Sequence, residues 1–230
     1  MTTLVSGSRV ELVEALAHDY HPIRAAKVSF ANDEILPPPD FPRTSDAGLL
    51  RYLMANRHGS PFEHGMFTFR VETTIAVVRE WQRHRAGHSY NEQSGRYSKL
   101  TPIFYVPALD NVRTQVGKPG AYTYRPLGGL RARLARRTLI ASYKAAWVAY
   151  EALLRQGVAR EQARLVLPLG LITRFYWTCN PRSLMHFLSL RNAPDAMQEI
   201  RACAEVVEGV FRAHMPITAA AFVANGRTSP

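Results

Sequence analysis

The stretch Phe67-Thr68-Phe69-Arg70-Val71-Glu72-Thr73-Thr74-Ile75-Ala76-Val77-Val78-Arg79-Glu80-Trp81-Gln82-Arg83-His84-Arg85 changes its hydrophobic period part-way along. Phe67, Phe69 and Val71 alternate with Thr68, Arg70 and Glu72, the period-two pattern of a half-buried strand. From Thr74 to Arg85, Ile75, Val78 and either Trp81 or Gln82 follow a helical period, and Glu80 lies one turn from Arg83 and His84. The bland reading of that neighbourhood is a surface ion pair worth a few tenths of a kcal/mol. No regular strand-helix alternation follows, so the class is α+β: a small mixed or antiparallel sheet packed with several helices.

Working outward, Leu171 to Cys179, with Ile172, Phe175, Tyr176 and Trp177, reads as a central strand, and Pro102 to Pro107 as a short one bounded by prolines. Ser8-Arg9-Val10-Glu11 reads as a capping box opening a helix with Val10, Val13, Leu16 and Ala17, ending before Pro22. Ile23 to Phe30 is a second short element. Pro37 to Pro42 makes a stiff loop, and Thr44, Ser45 and Asp46 offer caps for a helix carrying Leu49, Leu50, Leu53 and Met54. Leu130 to Arg155 is the longest helical stretch, with Leu134, Ala141, Ala145, Val148 and Leu153 for packing and Gly157 closing it. Val158 to Leu167 is helical up to Pro168, and Asp195 caps a final long helix from Pro194 to His214. Asp110 to Gly129 reads as a loop, and the tail after Phe222 as frayed.

At 230 residues one well-filled core is the default, giving a single domain over 1–230. No apolar run approaches the length that crosses a bilayer, and no N-terminal apolar run follows a basic start, so the expected location is cytoplasmic with no membrane partner. Cys179 and Cys203 make neither a disulfide framework nor a metal quartet and read as reduced, buried thiols. The net charge of +11 predicts a surface or cleft that concentrates anions. The densest basic run, Arg131, Arg133, Arg136, Arg137 and Lys144, reads as a solvated helix face.

The chemistry concentrates in Arg83-His84-Arg85-Ala86-Gly87-His88-Ser89-Tyr90-Asn91-Glu92-Gln93-Ser94-Gly95-Arg96-Tyr97-Ser98, where nearly every side chain donates or accepts hydrogen bonds. Arginine forks, loop amides and the Ser89 and Ser94 hydroxyls suit an anion such as phosphate. The bland reading is a solvated basic turn. Gly117-Lys118-Pro119-Gly120 is not a Walker loop and no GxGxxG occurs, so no Rossmann crevice is expected. His58 and His64 have no helical zinc spacing, and no metal is assigned. Ser94 has no recognisable base and Cys179 sits in an apolar strand, so neither reads as a nucleophile.

Arg83-His84-Arg85 followed by Ser94 resembles the signature of the flavin-dependent thymidylate synthases, Arg-His-Arg, seven residues, then Ser; here eight residues intervene. The likeness extends in order over the chain, through Ala25 to Ser29, His58 to His64, Ala163 to Pro168, Asn180 to Leu184 and Leu190-Arg191. Where the family often has a histidine after Leu-Arg, this chain carries Asp195. The resemblance implies reductive methylation of dUMP to dTMP with 5,10-methylenetetrahydrofolate as carbon donor, FAD as hydride carrier and NADPH as reductant. It implies a homotetramer with sites shared between subunits, and no nucleic acid partner.

For dUMP it implies Glu80, Gln82, Arg83, Glu92, Gln93, Ser94, Gly95, Arg96, Arg164 and Arg191, with Arg191 the catalytic group that activates the uracil ring. For FAD it implies Ser29, Ser60, Glu63, Arg83, His84, Arg85, Glu92, Asn180, Arg182 and His186. All the reactants carry phosphates or carboxylates, which a basic site serves whatever its name. The rival reading is a basic nucleic-acid-binding protein in which Tyr90 and Tyr97 stack bases, although no recognised binding motif occurs. A metal-dependent phosphohydrolase using His58, His64, His84 and His88 is a third.

Overall fold

The computed structural model describes residues 2–30, 44–119 and 121–230, so the expected loop at Pro37 to Pro42 lies outside the described residues. In chain order the elements are β1 (Thr3–Val5), β2 (Arg9–Leu16), α1 (Tyr20–Lys27), α2 (Thr44–Ala55), β3 (Met66–Thr74), α3 (Ile75–Trp81), β4 (His88–Glu92) and β5 (Ile103–Tyr105). There follow β6 (Arg113–Lys118), β7 (Ala121–Pro126), α4 (Gly129–Arg155), α5 (Arg160–Ala163), β8 (Ile172–Cys179), α6 (Pro181–Arg191), α7 (Gln198–His214) and α8 (Pro216–Ala224). One sheet has the strand order β2-β3-β8-β4, β1 pairs with β5, and β6 pairs with β7. The class is α+β as read, with β8 an interior strand. Among the described residues no helix is long and apolar enough to cross a membrane.

Two compact units share the chain. The first comprises Met1–Ser8, Glu72–Arg79 and Glu92–Arg174. Its core gathers Phe104, Val106, Tyr143, Trp147, Tyr150, Ala163 and Leu171, with the Phe104 ring stacked on Tyr143 at 5.0 Å. Gly170 makes room for this: a Cβ there would lie 2.3 Å from the Tyr143 hydroxyl.

The second unit comprises Arg9–Val71, Glu80–Asn91 and Phe175–Pro230. Phe67, Phe69 and Val71 of β3 are fully buried, as their alternation requires. Trp81 meets Trp177 edge-on at 5.1 Å and Phe187 at 4.7 Å, and Phe69 stacks on Trp177 at 5.3 Å. Each such ring removes a large apolar area from water, and the edge-on Trp81–Trp177 pair adds about 1 kcal/mol. α7 covers this core with Ile200, Cys203, Ala204, Val207 and Phe211.

Several expectations are corrected. The capping-box stretch is strand β2, because Glu11 pairs with Arg70 across the sheet at 2.8 Å and also with Arg9, while the Ser8 hydroxyl bonds Thr73 at 2.7 Å. Pro22 does not end a helix; it lies in the first turn of α1, where its missing N–H breaks no bond. α3 stops at Trp81, short of Arg85. Asp110 to Gly129 contains the β6-β7 hairpin, whose Lys118 pairs with Ala121. Almost all of that hairpin is exposed, so no buried face left a period to read.

α4 buries Ala132, Tyr143, Trp147 and Tyr150, with Leu153 partly buried beside them; Leu134 and Val148 face solvent, as do Ala141 and Ala145. The aromatic side chains cover more core than the aliphatic stripe would have. α7 begins at Gln198 behind Met197, and Asp195 is exposed and caps nothing. The tail is not frayed: α8 runs to Ala224 and Pro230 is buried.

Asp19 is buried and takes three hydrogen bonds, from the Ile217 amide at 2.9 Å, the Thr218 amide at 2.8 Å and the Thr218 hydroxyl at 2.6 Å. It thus caps α8 from almost the other end of the chain. Asp19→Ala strands those donors and should cost about 2–3 kcal/mol in urea unfolding, with an unchanged denaturant slope.

Candidate functional site

In the second unit the loop after α3 and the two ends of α6 carry the charged groups. Thr74 accepts the Val77 amide at 3.2 Å, so the strand-to-helix turn is capped at its first residue and Glu80 leaves from the last turn of α3. Asn180 caps α6, its side-chain oxygen accepting the Ser183 amide at 2.8 Å, and Pro181 occupies the first helical position. Arg182 and His186 then fall on one face and Arg191 on the last turn.

Arg191 is mostly buried and triply held. Its Nη1 donates to Glu80 Oε2 at 3.1 Å, its Nη2 to the Glu80 carbonyl at 2.9 Å, and its Nε to His84 Nε2 at 3.0 Å. Guanidinium nitrogen only donates, so His84 Nε2 must be unprotonated and the imidazole neutral, with its proton on Nδ1. Burial, then the Arg191 charge, then His88 and His186 lower the His84 pKa to about 3. His88 Nδ1 accepts the Trp177 indole N–H at 2.9 Å, and burial followed by the His186 charge lowers its pKa to about 4. Tyr90 donates to the carbonyls of Trp81 at 3.1 Å and His84 at 2.8 Å, pinning β4 to the loop. Its hydroxyl is therefore committed to the backbone. His84 and His88 each have a ring nitrogen taken by a protein donor, which disfavours the metal reading.

A cleft of about 380 Å³ lies beside this cluster, lined by Glu63, Ala86, Gly87, Asn180, Arg182, Ser183, His186, Ser229 and Pro230. The His84 and His186 rings are 5.6 Å apart. Arg182 Nη1 donates to Glu63 at 2.5 Å, and the Ser183 hydroxyl donates to the Ala86 carbonyl at 2.9 Å. Gly87 has φ +71°, and a Cβ there would meet Ser183 Oγ at 2.2 Å and Asn180 Nδ2 at 2.9 Å. A guanidinium, an amide, an imidazole and a hydroxyl around a glycine wall form a donor set suited to phosphate or carbonyl oxygens.

In the first unit the Ser94 loop meets α5. Arg96 pairs with Glu161 at 3.3 Å, Arg160 donates to the Tyr97 carbonyl at 3.4 Å, and Arg164 is exposed on the turn after α5. Glu92 accepts the Thr173 hydroxyl at 2.7 Å, and the Gln93 amide donates to the Arg174 carbonyl at 2.8 Å. Ser94 Oγ accepts the Arg96 amide at 3.3 Å, and Gly95 is buried against Leu100.

Of the residues read from sequence, Glu80, His84 and Arg191 form one cluster, Glu63, Asn180, Arg182 and His186 one cleft, and Arg96, in the Ser94 loop, pairs with Glu161 of the short helix that leads to Arg164. Ser29 and Ser60 are exposed and do not line the cleft, and Gln82, Arg83 and Arg85 are exposed in the loop. Sequence reasoning missed Gly59, Ser229 and Pro230. A Cβ on Gly59 would lie 2.5 Å from Arg182 Cζ, which only its adjacency to the quoted His58 to His64 stretch hinted at.

The neutral imidazoles set a pH dependence. Folded His84 and His88 resist protonation, while the unfolded chain takes protons near the ordinary value of 6.5. Stability should therefore be full above that value and fall as the pH drops toward 4 and then 3, by up to about 1.4 kcal/mol per pH unit for each imidazole. Urea unfolding at about pH 7 and about pH 5 measures the slope, and His84→Gln should flatten it.

Comparison with known proteins bears on these groups. The family model described as thymidylate synthase complementing protein matches residues 11–217. The flavin-dependent thymidylate synthase of Streptomyces avermitilis is 44% identical over 228 residues, covering 96% of this chain and 93% of that one. The one from Streptomyces coelicolor is 44% identical over 234 residues, covering 99% and 95%. Among solved structures, a UMP/dUMP methylase, PolB from Streptomyces cacaoi bound with 5-Br UMP, is 42% identical with a TM-score of 0.90, and the match covers 100% of both chains.

Proposed function

The chain belongs to the family of flavin-dependent thymidylate synthases, and from that premise we propose that it methylates C5 of dUMP to give dTMP. The carbon comes from 5,10-methylenetetrahydrofolate and the reducing equivalents from NADPH by way of FAD. The observation that carries this reading is Arg191, a guanidinium fixed by Glu80 and by a neutral His84. Those three bonds leave one N–H on each terminal nitrogen for a ligand. A uracil ring becomes nucleophilic at C5 when negative charge on its N3 and O2 edge is stabilised, and a preorganised guanidinium does this without reorganising. Because His84 stays neutral, it adds no second positive charge beside Arg191.

Arg96 and Arg164, with the Glu92 to Gly95 loop, take the phosphate and sugar of dUMP, and Gln82 and Arg83 border the base. Arg96 must exchange Glu161 for the phosphate, a change favoured by the second charge on the ligand. Arg182, Asn180, His186 and Glu63 hold FAD in the cleft they line, joined by Ser60, Arg83, His84, Arg85 and Glu92. FAD, when bound, supplies the hydride that completes the methyl group. No protein nucleophile takes part: burial pushes the Cys179 thiol well above its ordinary pKa, and Ser94 faces its own loop. The family match runs through segments of both units, which supports one functional domain over 1–230. In a homotetramer with shared sites, the exposed Ser29 serves a neighbouring copy's FAD.

A second substrate, UMP, is favoured by the likeness to a UMP/dUMP methylase over the full chain. Offering UMP and dUMP side by side should give C5-methylated product from dUMP, and from UMP as well if the ribose hydroxyl is accepted. The purified protein should be yellow and bleach with NADPH. Arg191→Lys should lower turnover by about a hundredfold to a thousandfold while NADPH still bleaches the flavin; near-normal turnover in that variant would remove Arg191 from the chemistry.

A further inference from the structure

Arg182 is held in place by a segment that nothing in the sequence would put there. Its Nε donates to the Pro230 carbonyl at 2.8 Å, and its own carbonyl accepts the Ser229 hydroxyl at 3.0 Å. Glu63 takes its Nη1, and Gly59 packs directly behind the guanidinium. Ser229 and Pro230 thereby become part of the cleft wall.

The segment is anchored two residues before Ser229. Arg227 donates through Nη1 and Nη2 to the two carboxylate oxygens of Glu208, at 2.9 and 2.6 Å, lies over the Phe222 ring at 5.4 Å, and accepts the Ser189 hydroxyl on its carbonyl at 2.6 Å. Its φ of 57° is left-handed, a strained conformation that persists only where the surroundings over-determine it. Glu208 is itself buried and shared with Asn192 and Arg212. Burial pushes its carboxyl up, but the bonds from Arg227, Asn192 and Arg212 outweigh this and hold it at about 2. The anchor is thus a charged fork at every ordinary pH.

We infer that Arg227 is a positioning residue: by docking on Glu208 it lays Thr228 to Pro230 across Arg182, and this fixes the guanidinium so that its remaining N–H bonds face the cleft. The inference rests on the assignment of that cleft to FAD. An arginine side chain free to rotate would have to be ordered when the cofactor binds, at a cost in affinity; here the ordering is done beforehand. A segment that instead occupied the cofactor's place would have the opposite effect, so the sign of the change decides.

The experiment titrates FAD into apoprotein, followed by flavin fluorescence, for the wild type, Arg182→Ala, Arg227→Ala and a chain shortened to end at Arg227. Arg227→Ala and the shortened chain should each bind FAD about tenfold more weakly, the worth of one charge-assisted contact, with dUMP affinity by calorimetry unchanged. Arg227→Lys, which keeps the charge but not the fork, should recover part of the loss. Wild-type or tighter FAD binding in both variants, with Arg182→Ala weakened, overturns the positioning role alone. No loss in Arg182→Ala removes FAD from this cleft. Glu208 keeps Asn192 and Arg212 in Arg227→Ala, so if the shortened chain does not fold, that variant decides by itself.

Discussion

The packing of the Trp81 indole against Trp177 and Phe187 is the constraint on which the second unit's chemistry depends. Trp81 ends α3, Trp177 lies on β8 and Phe187 on α6, so one aromatic cluster sets three elements at once. Glu80 sits one residue before the first ring, Asn180 three residues beyond the second, and Arg191 one turn beyond the third. Rings of this size tolerate little displacement in an interior packed as densely as a crystal. The positions of Glu80, Arg191 and the Asn180 cap therefore follow from apolar packing before any polar contact is made.

The polar contacts then distribute a large positive charge without letting it accumulate. Arg191 is set between a carboxylate and an imidazole that stays neutral, Arg182 between Glu63 and a carbonyl, and Arg227 on a buried Glu208. The basic run on α4 is spread over a helix whose buried side is aromatic; Arg131, Arg133, Arg137 and Lys144 are exposed, which matches a solvated face. Arg182, Arg191 and Arg227 have built surroundings, whereas Arg83, Arg85 and Arg164, equally scattered along the chain, are exposed; the order of residue types does not make that division.

What the sequence disclosed and what it hid have physical reasons. The β3 alternation, the β8 run and the Asn180-Pro181 helix start were legible because each is a local pattern with a buried face or a cap. Strand β2 was misread because Ser8 and Glu11 satisfy a local capping rule, whereas their partners are Thr73 and Arg70, more than fifty residues away. The β6-β7 hairpin escaped because it buries almost nothing. Within the site, Glu63, Arg182 and Asn180 could be named through the family resemblance, but the pairing of Arg191 with His84 could not. A histidine held neutral far below its ordinary value is a product of folding, since burial and then the adjacent Arg191 charge disfavour the protonated ring. The contacts of Ser229 and Pro230 lay beyond local reading for the same reason that those of Asp19 did: each reaches a partner far off in sequence, Pro230 across 48 residues and Asp19 across 199.

Gly87 and Ser183 stand ninety-six positions apart in the gene, yet the space between them holds no extra methyl group. Their histories are coupled in consequence. An alanine could become fixed at the first position only in a lineage that had already lost the hydroxymethyl group at the second, and it would still inherit an unfavourable dihedral. A side chain at position 87 is thus conditional on the residue at 183, whereas trimming 183 needs no change at 87, and a library randomised one site at a time would record the first position as closed when the obstacle lies at the second.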